Sequence, residues 1–183
     1  GVRELARTLR TPVLIGSAEG DNGVRRLLKS LRHDGPDVSV AASRDGIAPG
    51  GEAVVQILKT FHGGHGGKLS LVRMLRGNLK DGAVLHGEGG REARIAGIFA
   101  LCGDKQIKRH AAGAGDTVAL AKLDAFATGE ILSTAKSGGD RAQTETLTPV
   151  YRLAVAAQDR KDEVKLTSAI AKLTEEEPSL AFE

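Results

Sequence analysis

The stretch Gly66-Gly67-Lys68-Leu69-Ser70-Leu71-Val72-Arg73, followed by Gly77-Asn78-Leu79-Lys80-Asp81-Gly82, decides the fold. An apolar run between glycine-rich breaks reads as a strand, and Lys80-Asp81-Gly82 is a strong turn signal. Working outward, Ala53–Phe61 is a second apolar run on the far side of the glycine-rich His62–Gly67. Downstream come Ala83–His86, Ala93–Leu101, Thr117–Leu123 and Glu130–Ser133, with Gly113–Asp116 as a further break. Several short strands at this spacing form a small barrel or a sandwich. Few aromatics and a single closed sheet favour the barrel, placed at residues 52–134.

The flanks read differently. Thr11-Pro12-Val13-Leu14-Ile15-Gly16-Ser17 is a short apolar run ending in a turn, as in a buried strand of an α/β sheet. Asp21 and Asn22 are good helix caps, and Val24, Leu27, Leu28 and Leu31 recur at helical spacing up to Gly35-Pro36. Residues 37–51 and 135–148 are polar or rich in small residues and read as linkers. Pro149–Ala157 reads as a strand, and Asp159 as the cap of a helix striped by Leu166, Ala169, Ile170 and Leu173. Ser179–Phe182 reads as the start of another strand. One strand and one helix cannot cover a parallel sheet, so each flank reads as part of an αβ unit. The opening Gly1 accordingly reads as a boundary inside a longer protein.

Composition excludes several classes. Of 183 residues, 40% are hydrophobic, enough for a core, but only 3% are aromatic, which disfavours base-stacking platforms for single strands. The net charge of +3 suits a polyanionic partner without requiring one. Cys102 stands alone, which excludes an internal disulfide and an all-cysteine metal site and fits a reducing compartment. It follows an apolar strand and reads as an inert, covered thiol. Apolar runs are too short to span a bilayer, and no membrane partner is expected.

Three blocks in sequence resemble the elongation factor G family of translational GTPases. Pro12–Ala18 with Gly23-Val24 looks like the last nucleotide-binding motif of the GTPase domain and its closing helix. Gly66–Arg73 with Gly77–Gly82, and the later turns Ala112–Ala119 and Thr128–Leu132, look like the domain II barrel. Pro149-Val150-Tyr151, Asp162–Leu166 and Glu176–Leu180 look like the opening of the ferredoxin-like third domain. The resemblance implies a mainly β chain with α/β flanks. Residues 1–36 would end a GTP-binding domain, 52–134 would form the antiparallel barrel, and 149–183 would begin the third domain.

The resemblance also implies function. Gly16, Ser17 and Ala18 would pack on a guanine base, because a tight turn exposes backbone N–H groups and small side chains admit a flat ring. Arg73 and Lys80 would be ribosome contacts, although Lys80 is equally suited to closing its turn. Arg25, Arg26, Lys29 and Arg32 form one basic face and Lys105, Lys108 and Arg109 another; each is as readily a solvated surface as an RNA contact. GTP and magnesium belong to the complete factor, with the ribosome and ribosomal RNA as partners. A cytoplasmic monomer is expected.

The residues restrict the chemistry. Gly67-Lys68 is the nearest thing to a phosphate loop, but Leu69 stands where Ser or Thr is required. No Asn-Lys-x-Asp sequence occurs, so this stretch should not hydrolyse GTP. His62 and His65 share a loop but lack further ligands, so no metal is expected and the loop reads as exposed. Glu19-Gly20-Asp21-Asn22-Gly23, where the family carries lysine, and Glu130, where it carries Asp, point to a divergent paralogue. The resemblance implies a GTP-dependent elongation factor acting on the ribosome in translocation; the alternatives are a non-hydrolysing ribosome- or RNA-binding module and a ribosomal protection factor.

Overall fold

The computed structural model describes residues 13–63, 67–103, 105–136 and 149–182. Among these, three α-helices, α1 (Val24–Asp34), α2 (Val38–Arg44) and α3 (Glu163–Glu176), frame ten strands. The strands are β1 (Val54–Gly63), β2 (Gly67–Arg76), β3 (Asn78–Lys80), β4 (Val84–His86), β5 (Glu92–Arg94), β6 (Ile98–Cys102), β7 (Lys105–Arg109), β8 (Ala111–Gly113), β9 (Thr117–Ala121) and β10 (Ile131–Ser133).

Eight strands form one antiparallel sheet in the order β5-β4-β10-β1-β2-β9-β6-β7, and β3 pairs with β8 in a separate ribbon. The hydrogen-bonded ladder does not close, which corrects the expectation of one closed sheet. Chain connectivity nevertheless curls it. In a flat sheet β5 and β6 would lie roughly 29 Å apart, at about 4.8 Å per strand. The chain from Arg94 to Ile98 can span at most about 14 Å. The sheet must therefore bring its two ends together, and Ala96 N donates to Ala121 O of β9 at 3.1 Å in this link.

Alternation along the strands sets the inside. Val55 and Ile57 of β1, Val72 and Met74 of β2, Val118 and Leu120 of β9 and Leu132 of β10 face one core with Leu79, Leu85, Ile95, Ile98, Leu123 and Phe126. A bulge between Ile57 and Lys59 leaves Leu58 exposed and puts Thr60 opposite Ser70 and His62 opposite Lys68. By the same alternation, the inward row of β2 runs from Met74 and Val72 through Ser70 to Lys68, so the interior turns polar towards one end.

The outer face of β1 and β2 is covered from outside. Asp37 Oδ1 accepts from Ser39 N at 3.3 Å and starts α2. Ala42, with Ile47 beside it, packs on Val54, Leu75 and Ile131 in a second apolar cluster. The 37–51 stretch, read as a linker, therefore contains a helix docked on the sheet. Small side chains misled the reading, because Ala42 is the size that lets a helix lie close.

Every buried residue described lies between Ala42 and Ser133. Residues 13–16 and 149–157 form no strand, contrary to the expected runs there, and nor do 179–182. These segments have no strand beside them to complete a ladder, and Ile15 is 93% exposed. Residues 11–12 lie outside the described residues. Gly23 precedes α1 without a side-chain cap, in place of the expected Asp21 or Asn22. Cys102 is exposed, correcting the covered thiol: the β6–β7 hairpin projects past the core, and all of β7 is exposed.

Two glycines separate backbone strain from crowding. Gly77 has φ 73°, and an added Cβ would sit 2.8 Å from Ala53 Cα. Gly89 has φ 71° with open space around it. Gly89→Ala is expected to cost about 1–2 kcal/mol, from the left-handed conformation alone. Gly77→Ala should cost clearly more, as urea unfolding will show; equal losses would mean that the Ala53 contact is unimportant.

Candidate functional site

The predicted base-binding turn is built by backbone. Ser17 N donates to Asn22 O at 2.9 Å and Asn22 N to Ser17 O at 3.1 Å, closing a loop that Asp21 N tightens onto Ala18 O at 3.3 Å. Gly16 and Gly23 pass so close that a Cβ on Gly16 would meet Asn22 O at 2.5 Å. Gly23 adopts φ 78°, a conformation glycine enters without penalty. The Ala18 N–H has no partner among the described residues, and the methyl side chain leaves it accessible. This arrangement suits the edge of a flat ring. No second cradle for phosphates accompanies it among the described residues.

Arg73 and Lys80 lie elsewhere. Arg73 is on the outer face of β2, where its Nη1 donates to Thr117 Oγ1 at 3.0 Å across the β2–β9 ladder. Lys80 ends β3 opposite Ala111, exposed, beside a turn in which Ala83 N donates to Lys80 O at 3.2 Å. No hydrogen bond among the described residues joins Gly16, Ser17 or Ala18 to either. The basic trio Lys105, Lys108 and Arg109 sits on the edge strand β7, with Lys108 Nζ 3.9 Å from Asp81 and Arg109 3.7 Å from Asp116. The edge is thus positively charged and partly tied down.

Two charged networks escaped the sequence reading. In the first, Glu130 accepts from Arg91 through both oxygens, at 3.2 and 2.8 Å, and from Ala127 N at 3.0 Å. Arg91 also donates to Ala125 O at 2.8 Å and lies 5.4 Å from the Phe126 ring centre. The pair pins the turn that inserts Phe126 into the core. Glu130 was noted for its departure from the family residue, which gave no hint of its partner 39 positions away.

The second network joins α3 to the polar end of the sheet. Lys68, with its side chain 4% exposed, donates to Phe126 O at 2.7 Å and to Glu175 Oε1. His62 Nε2 lies 2.6 Å from Glu175 Oε2, and His62 N donates to Glu176 Oε1. The expected exposed loop is therefore engaged at His62; His65 lies outside the described residues. Burial is the largest influence on the Glu175 carboxyl and pushes it up, but hydrogen bonds and charge from Lys68 and His62 together outweigh it and hold it below the usual carboxylate range. The acidic run Glu175-Glu176-Glu177 was the available signal.

Other chemistry is sparse. Among the described residues no three metal-ligating side chains cluster, and no helix is long and apolar enough to cross a membrane. A groove of about 490 Å³ lies between α2 and β2, lined by Val38, Ile47, Leu75 and Arg76 among others.

Glu130→Gln leaves the Arg91 guanidinium without its counter-charge. It is expected to destabilise the chain by about 1–2 kcal/mol in urea unfolding, because the carboxylate is buried while the half-exposed guanidinium can be rehydrated. A loss under about 0.5 kcal/mol would show that the 125–130 turn holds without it.

Residues 52–135 match the family described as elongation factor G domain 2, the span from just before β1 to just after β10. Over 99% of its length the chain is 42% identical to an elongation factor G-like protein of Synechocystis, of which it spans 26%. It is 29% identical over 94% of its length to an elongation factor G of Ruegeria pomeroyi, spanning 27% of that protein. A crystal structure of a Thermus thermophilus protein superposes with a TM-score of 0.70 at 25% identity, covering 90% of this chain and 24% of that one. The chain thus spans about a quarter of the relatives it matches. The barrel's strand pattern and this likeness along nearly the whole length lead to one assignment: residues 52–135 belong to the elongation factor G domain 2 family, and the chain as a whole is similar to elongation factor G proteins.

Proposed function

We propose that the chain is the middle section of a GTP-dependent translation factor that acts on the ribosome. The observation that carries this reading is the family match over residues 52–135, on a curled sheet whose edge strand β7 is basic. Residues 1–36 then end the GTP-binding domain, with Gly16, Ser17 and Ala18 meeting the guanine base. The tight approach of Gly16 to Asn22, and an Ala18 N–H without a partner among the described residues, support that role. Residues 149–183 begin the ferredoxin-like third domain. Phosphate and magnesium ligands, which the sequence of this stretch lacks, come from other parts of the factor, so this stretch does not turn GTP over by itself.

The barrel is the docking module towards the small subunit. Arg73 and Lys80 meet ribosomal RNA phosphates, and binding rests on backbone charge without reading sequence. The factor works as a cytoplasmic monomer. A second reading, in which the parent is a non-hydrolysing paralogue that serves as a ribosome- or RNA-binding module, is favoured by a specific observation. Identity is higher to the protein described as elongation factor G-like, 42%, than to the elongation factor G at 29%.

Co-sedimentation with ribosomes tests the docking role. Raising salt from 50 to 200 mM is expected to weaken binding roughly tenfold to a hundredfold, as release of counterions from a few phosphates requires. Arg73→Ser with Lys80→Ser should lower affinity and flatten that salt dependence. Binding indifferent to salt would overturn the proposal. GTPase assay of the full-length factor with and without ribosomes separates the two readings, since only the first requires ribosome-stimulated turnover.

A further inference from the structure

Helix α3 is attached to the barrel in an unusual way. It has no buried residue, and its apolar positions Val164 and Leu173 are 80% and 52% exposed. It meets the barrel at β1, through its last turn. There three consecutive glutamates face three basic side chains of the β1–β2 hairpin. Glu175 takes Lys68 and His62, Glu176 takes the His62 N–H, and Glu177 lies 3.8 Å from Lys59. The remaining groups facing Lys68 are the carbonyls of Asp124 and Phe126, at 3.5 and 2.7 Å. Glu175 is thus the carboxylate that neutralises a buried ammonium.

We propose that Glu175, Glu176 and Glu177 form a reversible electrostatic catch that holds α3 across the polar end of the barrel and that opens without unfolding the barrel. The apolar core lies deeper, around Val72, Met74 and Phe126, and contains no part of α3. Release of α3 therefore removes charge pairs and leaves apolar packing intact. The Lys59–Glu177 pair is exposed and adds little. Lys68 is the anchor, because a buried charge that loses its partner is the costly element of such a contact.

The sign with pH follows from Glu175. Its carboxyl is held below the ordinary range in the docked state, so docking gains stability above that range and loses it as pH falls through the lowered value. The catch is closed at neutral pH and opens in acid. The His62–Glu175 contact is an ion pair only while the imidazole carries both protons.

Amide hydrogen exchange on the full chain tests this, with every rate referred to its intrinsic value at that pH. In Glu175→Gln and in Lys68→Met, amides of α3 and of His62 should exchange about tenfold faster or more. Amides of β2 and β9 should keep their protection. Adding 0.5 M salt to the unaltered chain should move the same amides in the same direction, and Glu163→Gln, at the other end of α3, should move none. Unchanged α3 and His62 amides in both variants and in salt would overturn the catch. So would an equal loss of protection in β2 and β9, which would make the network a fixed part of the barrel.

Discussion

The short connection from Arg94 to Ile98 constrains everything else. It joins the first strand of an eight-stranded sheet to the seventh, so the sheet has to curl until those strands meet. Once curled, one face of each strand is enclosed. The alternation of Val55, Ile57, Val72, Met74, Val118 and Leu120 then fills that enclosure with aliphatic side chains. Few aromatics are needed, because the enclosed space is narrow and branched residues fill it. Phe126 is the exception. It enters from a turn held by Arg91 and Glu130, and Gly87 makes room for it, since a Cβ there would lie 2.5 Å from the ring.

Curling also creates ends, and towards one of them the inward-pointing positions are polar although most of them are buried. Here those positions are Ser70, Thr60, His62 and Lys68. Thr60 finds Thr128 at 3.3 Å, and Lys68 finds main-chain carbonyls and a glutamate from α3. The outside of β1 and β2 is treated differently, with α2 lying on Val54, Leu75 and Ile131. Apolar packing on one side and charge pairing on the other give the two flanking helices attachments of different kinds. Salt and pH act on the second and leave the first alone.

Much of the fold was legible because period-two patterns and glycine breaks act locally. The runs at Lys68–Arg73 and Thr117–Leu123, and the Lys80-Asp81-Gly82 turn, depend on neighbours a few residues away. The flanks misled for a complementary reason: an apolar run such as Pro149–Ala157 has strand character but pairs only if another strand lies beside it. The helix α2 was hidden in a stretch of alanine, serine and glycine that composition assigns to loops. The turn at Gly16–Gly23 was visible from its residues, and its tightness follows from two glycines. The Glu130–Arg91 and Glu175–Lys68 pairs were not visible, because they join positions 39 and 107 residues apart, and pattern carries no information at that range.

The central claim is that residues between about 52 and 135 form a self-contained folded unit that does not need either flank. Limited proteolysis of the full chain, with the fragments identified by mass, tests it most directly. Cuts are expected first within 13–36 and 149–161, leaving a resistant fragment that contains all ten strands from β1 to β10. Early cleavage between those strands, or a resistant fragment that reaches into both flanks, would contradict it.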